Sequence, residues 1–340
     1  MSDSIVINQA IESKILRYTV GVGLAVFLAA WIDWPLAFVA PVFTAKFLLD
    51  KPNLSKETIY ELMIAMVVTM LLGLFLSTGI THYPIPLLVM VGLMMMWGYY
   101  LFTDPKWNLF ATVLIIAILM LPFMAISNPG MSVLLASGLA SSGIVAIVIF
   151  ALVHIYIPEK ESKFSGFAPS PLTKGQRWYA SIRAMLISFP VVCFFFIFQI
   201  SEALLTMMFI ALLSLMITSE KSVKLSAFLV ISNSIGGAMA IVVFSVLGLV
   251  PNILFYTLFI SLLALYMGKK IYTEPNKAPI FATAFSTILV LLGSTLMSSG
   301  DIAGNMWIRI IQLVVIGIYM IIASYFLETR RWSFLKKQSL

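Results

Sequence analysis

Cysteine and histidine are nearly absent from this chain. Cys193 is the single thiol, and His82 and His154 are the only imidazoles. One thiol cannot close a disulfide within the chain, and no Cys or His spacing suits a metal or redox centre. No metal and no cofactor is therefore expected. A GxxxxGK[ST] phosphate loop is also missing, so ATP is not expected to power the chain. No Ser/His/Asp constellation is present, and an enzyme is not expected. Charge is scarce as well: charged residues are 10% of the 340, against about 25% in an ordinary soluble domain. The opening MSDSIVINQAIESKILR lacks the basic, apolar, small-residue order of a cleaved signal, so the first apolar segment is expected to direct its own insertion.

What remains is apolar. Hydrophobic residues make up 61% of the sequence, a share that would leave large sticky patches in water. The 20 methionines are read as adaptable packing residues. The net charge of +7 is dispersed over loops, which points to membrane orientation rather than to nucleic acid. Apolar segments lie near 15–32, 34–49, 60–80, 85–102, 108–126, 131–155, 182–199, 201–218, 226–249, 251–268, 279–298 and 304–326. Segments 34–49 and 201–218 are short, so each is either a tilted span or part of a re-entrant pair.

The charges decide in favour of full crossings. Lys14 and Arg17 lie at the start; Lys51 and Lys56 fill the second gap, Lys106 the fourth, and Lys160, Lys163, Lys174, Arg177 and Arg183 the sixth. Lys221, Lys224, Lys269, Lys270 and Lys277 continue the pattern, and Arg330, Arg331, Lys336 and Lys337 lie in the tail. The odd gaps carry Asp33, Glu202 and Asp301 instead. Under the positive-inside rule both termini and the central loop face the cytoplasm. The expected fold is an all-α polytopic membrane protein of about 12 transmembrane helices in two parallel six-helix repeats. Its parts are a cytoplasmic N-terminus (1–14), a first repeat (15–155), a basic cytoplasmic linker (156–181), a second repeat (182–326) and a basic tail (327–340). The repeat rests on Arg17 followed by YTVGVGLAVFLAAWID, which aligns without a gap to Arg183 followed by AMLISFPVVCFFFIFQ. Function is sought between such halves.

A charge at membrane depth is costly, so the few polar residues within the segments are the candidates. Arg309 is a basic residue on the outer side, in NMWIRIIQ, with Asn305 and Gln312 on the same helical face. That face suits an organic anion; the alternatives are a snorkelling arginine or a pair with Asp301. Lys46 follows Thr44 and precedes Asp50 by one turn, and either lines an inner mouth or pairs with Asp50. Arg17 and Arg183 open matching helices and either surround a cytoplasmic entrance or anchor the helix flanks. Asp33, Glu202, Asp301 and His82 are candidates for proton coupling, with solvated caps and a solvated loop as the plainer readings. Pro41, Pro122 and Pro190 fall inside apolar segments and are candidates for helix breaks.

Arg17, the WPLAFVAPVFTAKFLL stretch at 34–49, the turn beginning Asp50-Lys51-Pro52 and the six-span halves together resemble the fusaric acid resistance/aromatic acid exporter superfamily, in particular its compact DUF2955 branch. The resemblance implies a bacterial inner-membrane exporter of small, often aromatic, organic anions. It also implies a periplasmic adaptor and an outer-membrane channel as partners, besides membrane lipids and a second copy of the chain. The implied site residues are Arg17 and the Pro41–Thr44–Lys46 region. Driving forces would be the membrane potential, a proton gradient or both. A channel-like anion pathway is the alternative within transport, and a non-conducting scaffold that recruits an adaptor is the alternative of another class.

Overall fold

The computed structural model describes residues 2–51, 53–104, 106–158, 173–199 and 223–296, with Leu215 and scattered positions between 311 and 326. Among them there is no strand, only helix. In chain order these are α1 (Ser2–Ile32), α2 (Val39–Asp50), α3 (Lys56–Ser77), α4 (Pro84–Phe102) and α5 (Asn108–Ser127). Then follow α6 (Pro129–Tyr156), α7 (Lys174–Phe198), α8 (Val223–Leu249), α9 (Ile253–Thr273) and α10 (Ala278–Leu296).

Eight of the described helices are long and apolar enough to cross a membrane. The chain is an all-α, largely membrane-spanning protein. The expected segments at 201–218 and 304–326 lie almost entirely outside the described residues.

Helices dominate because a backbone N–H or C=O left unpaired in hydrocarbon costs several kcal/mol, roughly the cost of burying any unpaired amide. Hydroxyls obey the same constraint by bonding back along their own helix. Thr44 donates to the Ala40 carbonyl, Thr69 to Ala65, Ser188 to Ala184 and Thr295 to Leu291. Helix starts follow capping chemistry. Thr173 and Gln176 form a reciprocal box that opens α7, so this helix begins well inside the stretch expected as linker. Asn252 opens α9 by accepting the Leu254 N–H at 2.8 Å.

The helices form two compact units, each continuous in space but not in sequence. The first contains α1, α2, most of α6, most of α8, α9 and α10. There α1 lies along α9 and α2, and α10 packs on α9 and α2. The second contains most of α3, then α4, α5 and α7, with α4 packed on both α5 and α7. Lipid offers no hydrophobic drive for helix association, so close approach at small residues carries much of the packing. A Cβ on Gly236 would stand 2.6 Å from the Ala284 carbonyl oxygen, and one on Gly92 would stand 2.9 Å from the Phe189 ring. The most deeply buried described span in the whole chain is α5.

Candidate functional site

The first unit is built around a break between α1 and α2. Asp33 and Leu36 both have left-handed backbone, at φ 52° and 59°. The chain turns sharply there at the cost of strain that side chains elsewhere must hold. Trp34 and Ser142 supply the hold. The Trp34 indole N–H donates to Ser142 Oγ at 2.9 Å, and Ser142 Oγ donates to the Leu36 carbonyl at 2.9 Å. The non-helical residues Leu36, Ala37 and Phe38 are themselves buried, which is where irregular backbone is tolerated in a membrane protein.

Beyond the break, α2 has 12 residues. At 1.5 Å per residue it covers about 18 Å, short of the roughly 30 Å apolar thickness of a bilayer. Most of its residues are buried in protein. Pro41 does not interrupt a helix: it sits in the first turn of α2, where an N–H would have no intrahelical partner in any case. Pro122 and Pro190, by contrast, lie inside α5 and α7.

Of the residues singled out from sequence, Arg17, Asp33, Thr44 and Lys46 belong to this first unit. Arg17 is 4% exposed and lies where α1 turns from its polar first turns, with Glu12, Ser13 and Lys14, to its apolar run. One turn further, Gly21 lies against Leu48 and Thr44, so α1 and α2 meet beside the arginine. The neighbouring Tyr18 is fully buried against Gly268 and packs on Phe285 and Tyr272. Lys46 pairs with Asp50 at 2.9 Å and is half-buried. Lys51 donates to both carboxylate oxygens of Glu61 at 2.8 Å, tying the end of α2 to α3.

The opposite end of the same unit holds a cavity of about 390 Å³. Its walls are the ends of α1, α8 and α10 and the starts of α2 and α9. Ala29, Ala30, Phe38, Tyr256, Leu289 and Gly293 form much of the lining, with Asp33 and Asn252 as the polar side chains at the helix ends. Asp33 itself is exposed. Neither Asn252 nor Tyr256 was singled out from sequence. Asn252 could have been found as a helix cap before an apolar run, whereas nothing local marks Tyr256.

Arg183 belongs to the second unit and is 8% exposed, about 13 Å along α7. Nearby, the Tyr99 hydroxyl and Ser188 Oγ share a hydrogen bond at 2.7 Å. Arg177, read from sequence as loop charge, proves to be a clamp. Its Nε donates to Thr103 Oγ1 at 2.9 Å, one terminal nitrogen donates to the Tyr100 carbonyl at 3.1 Å, and the other lies 3.4 Å from Asp104. The same guanidinium lies 4.4 Å from the centre of the Tyr100 ring. His82 is exposed in the Ile80–His82 turn. Arg309, Asn305, Gln312, Glu202 and Asp301 lie outside the described residues. Among the described residues there is no cluster of His, Cys, Asp or Glu able to hold a metal ion.

Residues 14–153 match a family whose description is "Protein of unknown function (DUF2955)". That match covers 140 of the 340 residues and supports assignment to DUF2955. It runs from just before Arg17 into α6, and so includes the α1–α2 break, Thr44 and Lys46. No curated protein and no solved structure matches the chain. The chain is thus a multi-pass α-helical membrane protein whose residues 14–153 are similar to DUF2955, of a kind consistent with membrane transport.

Proposed function

We propose that this DUF2955 protein is an inner-membrane exporter of small, aromatic organic anions. The observation that carries the reading is the burial of Arg17 and Arg183, each just past the polar start of a helix long enough to cross a membrane. A snorkelling arginine keeps its head in the headgroup layer. An arginine enclosed by protein is costly and is retained where a site or a water-filled path uses it.

On this reading the anion meets Arg17 and Lys46 of the first unit from the cytoplasm, with Thr44 beside the α1–α2 contact, and Arg183 is the corresponding basic residue of the second unit. Lys46 contributes less than a free cation would, because Asp50 neutralises it. Arg309, Asn305 and Gln312 would serve the outer side, and the orientation is the one given by the alternating loop charges. An inside-negative potential drives a monovalent anion outward by about 2.3 kcal/mol per 100 mV. Asp33, at the outer end of α1, and His82 are the described candidates for proton coupling; Glu202 and Asp301 are the others. A periplasmic adaptor and an outer-membrane channel would complete the route.

The test is flux of radiolabelled benzoate in proteoliposomes holding the full chain under imposed voltage and pH gradients. Voltage-dependent flux above that of empty liposomes supports the exporter. No flux under any gradient leaves a non-conducting scaffold as the better description.

A further inference from the structure

Helix ends recur at constant spacing along the chain. The spacing from Arg17 to Arg183 is also that from Ile32 to Phe198, the last residues of α1 and α7. It is again that from Asp33 to Gln199, and both of these residues are left-handed, at φ 52° and 46°. A slightly longer spacing relates Pro84 to Ile253, the first residues of α4 and α9, and Tyr83 to Asn252, their caps. The first residues of α5 and α10, Asn108 and Ala278, lie within one residue of the same spacing.

Packing follows these two registers. In the first unit α1 meets α9 with Gly23 against Ser261; in the second, α7 meets α4 with Phe189 against Gly92. Those four positions correspond pairwise under the two spacings. So α1, α9 and α10 of the first unit answer to α7, α4 and α5 of the second, with each unit drawing on both halves of the chain.

The match makes the cavity informative. Ala30 corresponds to Phe196, Ala29 to Phe195 and Gly293 to Met124. Phe196 is buried and packs edge-on against Phe123, ring centres 5.6 Å apart. Phe123 in turn corresponds to Leu292, next to Gly293. Where the first unit has small residues around a void, the second therefore has two phenylalanines and a methionine.

From this we infer that the cavity of the first unit is a binding site for an uncharged, ring-bearing small molecule, and that the second unit's matched site is closed by its own side chains. A void of about 150 Å³ lined by apolar groups takes up benzene, and 390 Å³ holds a substituted ring. Among the described residues the walls are aliphatic and aromatic, and Asp33 is the sole charged one. Its carboxylate disfavours a carboxylate guest, and because it is exposed to solvent it gives a cation little buried attraction. Such a site stands whether or not the chain exports anions.

The test uses the full chain in lipid nanodiscs and 4-fluorobenzyl alcohol, with binding read by fluorine NMR after subtraction of empty nanodiscs. 4-Fluorobenzoate and 4-fluorobenzylammonium serve as the charged comparators. One saturable site is expected for the alcohol, with both ions weaker. Ala30→Phe, which copies the second unit, should weaken binding by about tenfold or more, and the milder Ala30→Leu should weaken it in the same direction. Phe196→Ala should add a second equivalent of bound alcohol. No saturable binding, equal binding by monodisperse Ala30→Phe and Ala30→Leu variants, or tighter binding of either ion would overturn the site. A single equivalent bound by Phe196→Ala would overturn the closed counterpart.

Discussion

Trp34 reaches across to Ser142, whose hydroxyl passes the hydrogen bond on to the Leu36 carbonyl. Two residues more than a hundred positions apart thereby fix the break at which α1 gives way to α2. Ser142→Ala removes both bonds and leaves a buried carbonyl and a half-buried indole N–H without that partner. The expected cost is about 1–3 kcal/mol, read as a lower unfolding temperature in detergent. Ser142→Thr, which keeps the hydroxyl, should recover part of it.

Close helix approach predicts a contrast between two glycines of α8. Gly236→Ala places a methyl 2.6 Å from backbone of α10, which cannot swing aside as a side chain would. Overpacking of this kind costs roughly 1–3 kcal/mol. Gly248→Ala meets nothing within 4 Å and should leave the unfolding temperature nearly unchanged. Equal effects from the two would contradict the close approach of α8 to α10.

Arg177 should behave as a structural residue. Arg177→Lys keeps the charge but loses the planar fork that reaches Thr103, Tyr100 and Asp104 together. The expected loss is about 1–3 kcal/mol of stability, with flux per folded protein unchanged. A variant as stable as wild type would show that the clamp does not matter.

Much of the fold was legible because its strongest signal is length of apolar sequence. The spans α4, α5 and α6 lie within two residues of the expected 85–102, 108–126 and 131–155. The linker was less legible: Lys174 and Arg177 read as loop charge, yet the Thr173–Gln176 box starts a helix there. Segment 34–49 looked apolar enough to cross, but two left-handed residues and a tertiary hydrogen bond from Ser142 shorten it to α2. No local pattern announces a partner so distant in sequence. The same reason hid the partners of Arg177 at the end of α4. Arg17 and Lys46 were visible as charges next to apolar sequence, and the Asp50 pair as one reading of Lys46; their burial, and the choice of that pair, needed the fold.

Glu274 offers a pH-dependent check at the end of α9. Its carboxylate accepts from Lys270 at 2.6 Å and from Lys277 at 3.1 Å. The Lys270 hydrogen bond, then that from Lys277, holds its pKa below the ordinary glutamate value. A lowered folded-state pKa contributes stability that is present above the unfolded value and lost as pH falls through the folded one. The difference in unfolding temperature between wild type and Glu274→Gln should therefore be small near neutrality, because the pair is exposed, and should shrink further on acidification. A difference that grows as pH falls would contradict this sign.

If a buried arginine handles the anion, the initial rate of benzoate efflux from proteoliposomes at an imposed inside-negative potential depends on it. Wild type should show efflux that rises with voltage. Arg17→Gln, purified as a monodisperse protein, should lower that rate by about tenfold, or about 1.4 kcal/mol, with Arg17→Lys intermediate. Voltage-independent efflux, or the same rate in wild type and Arg17→Gln, would contradict the account.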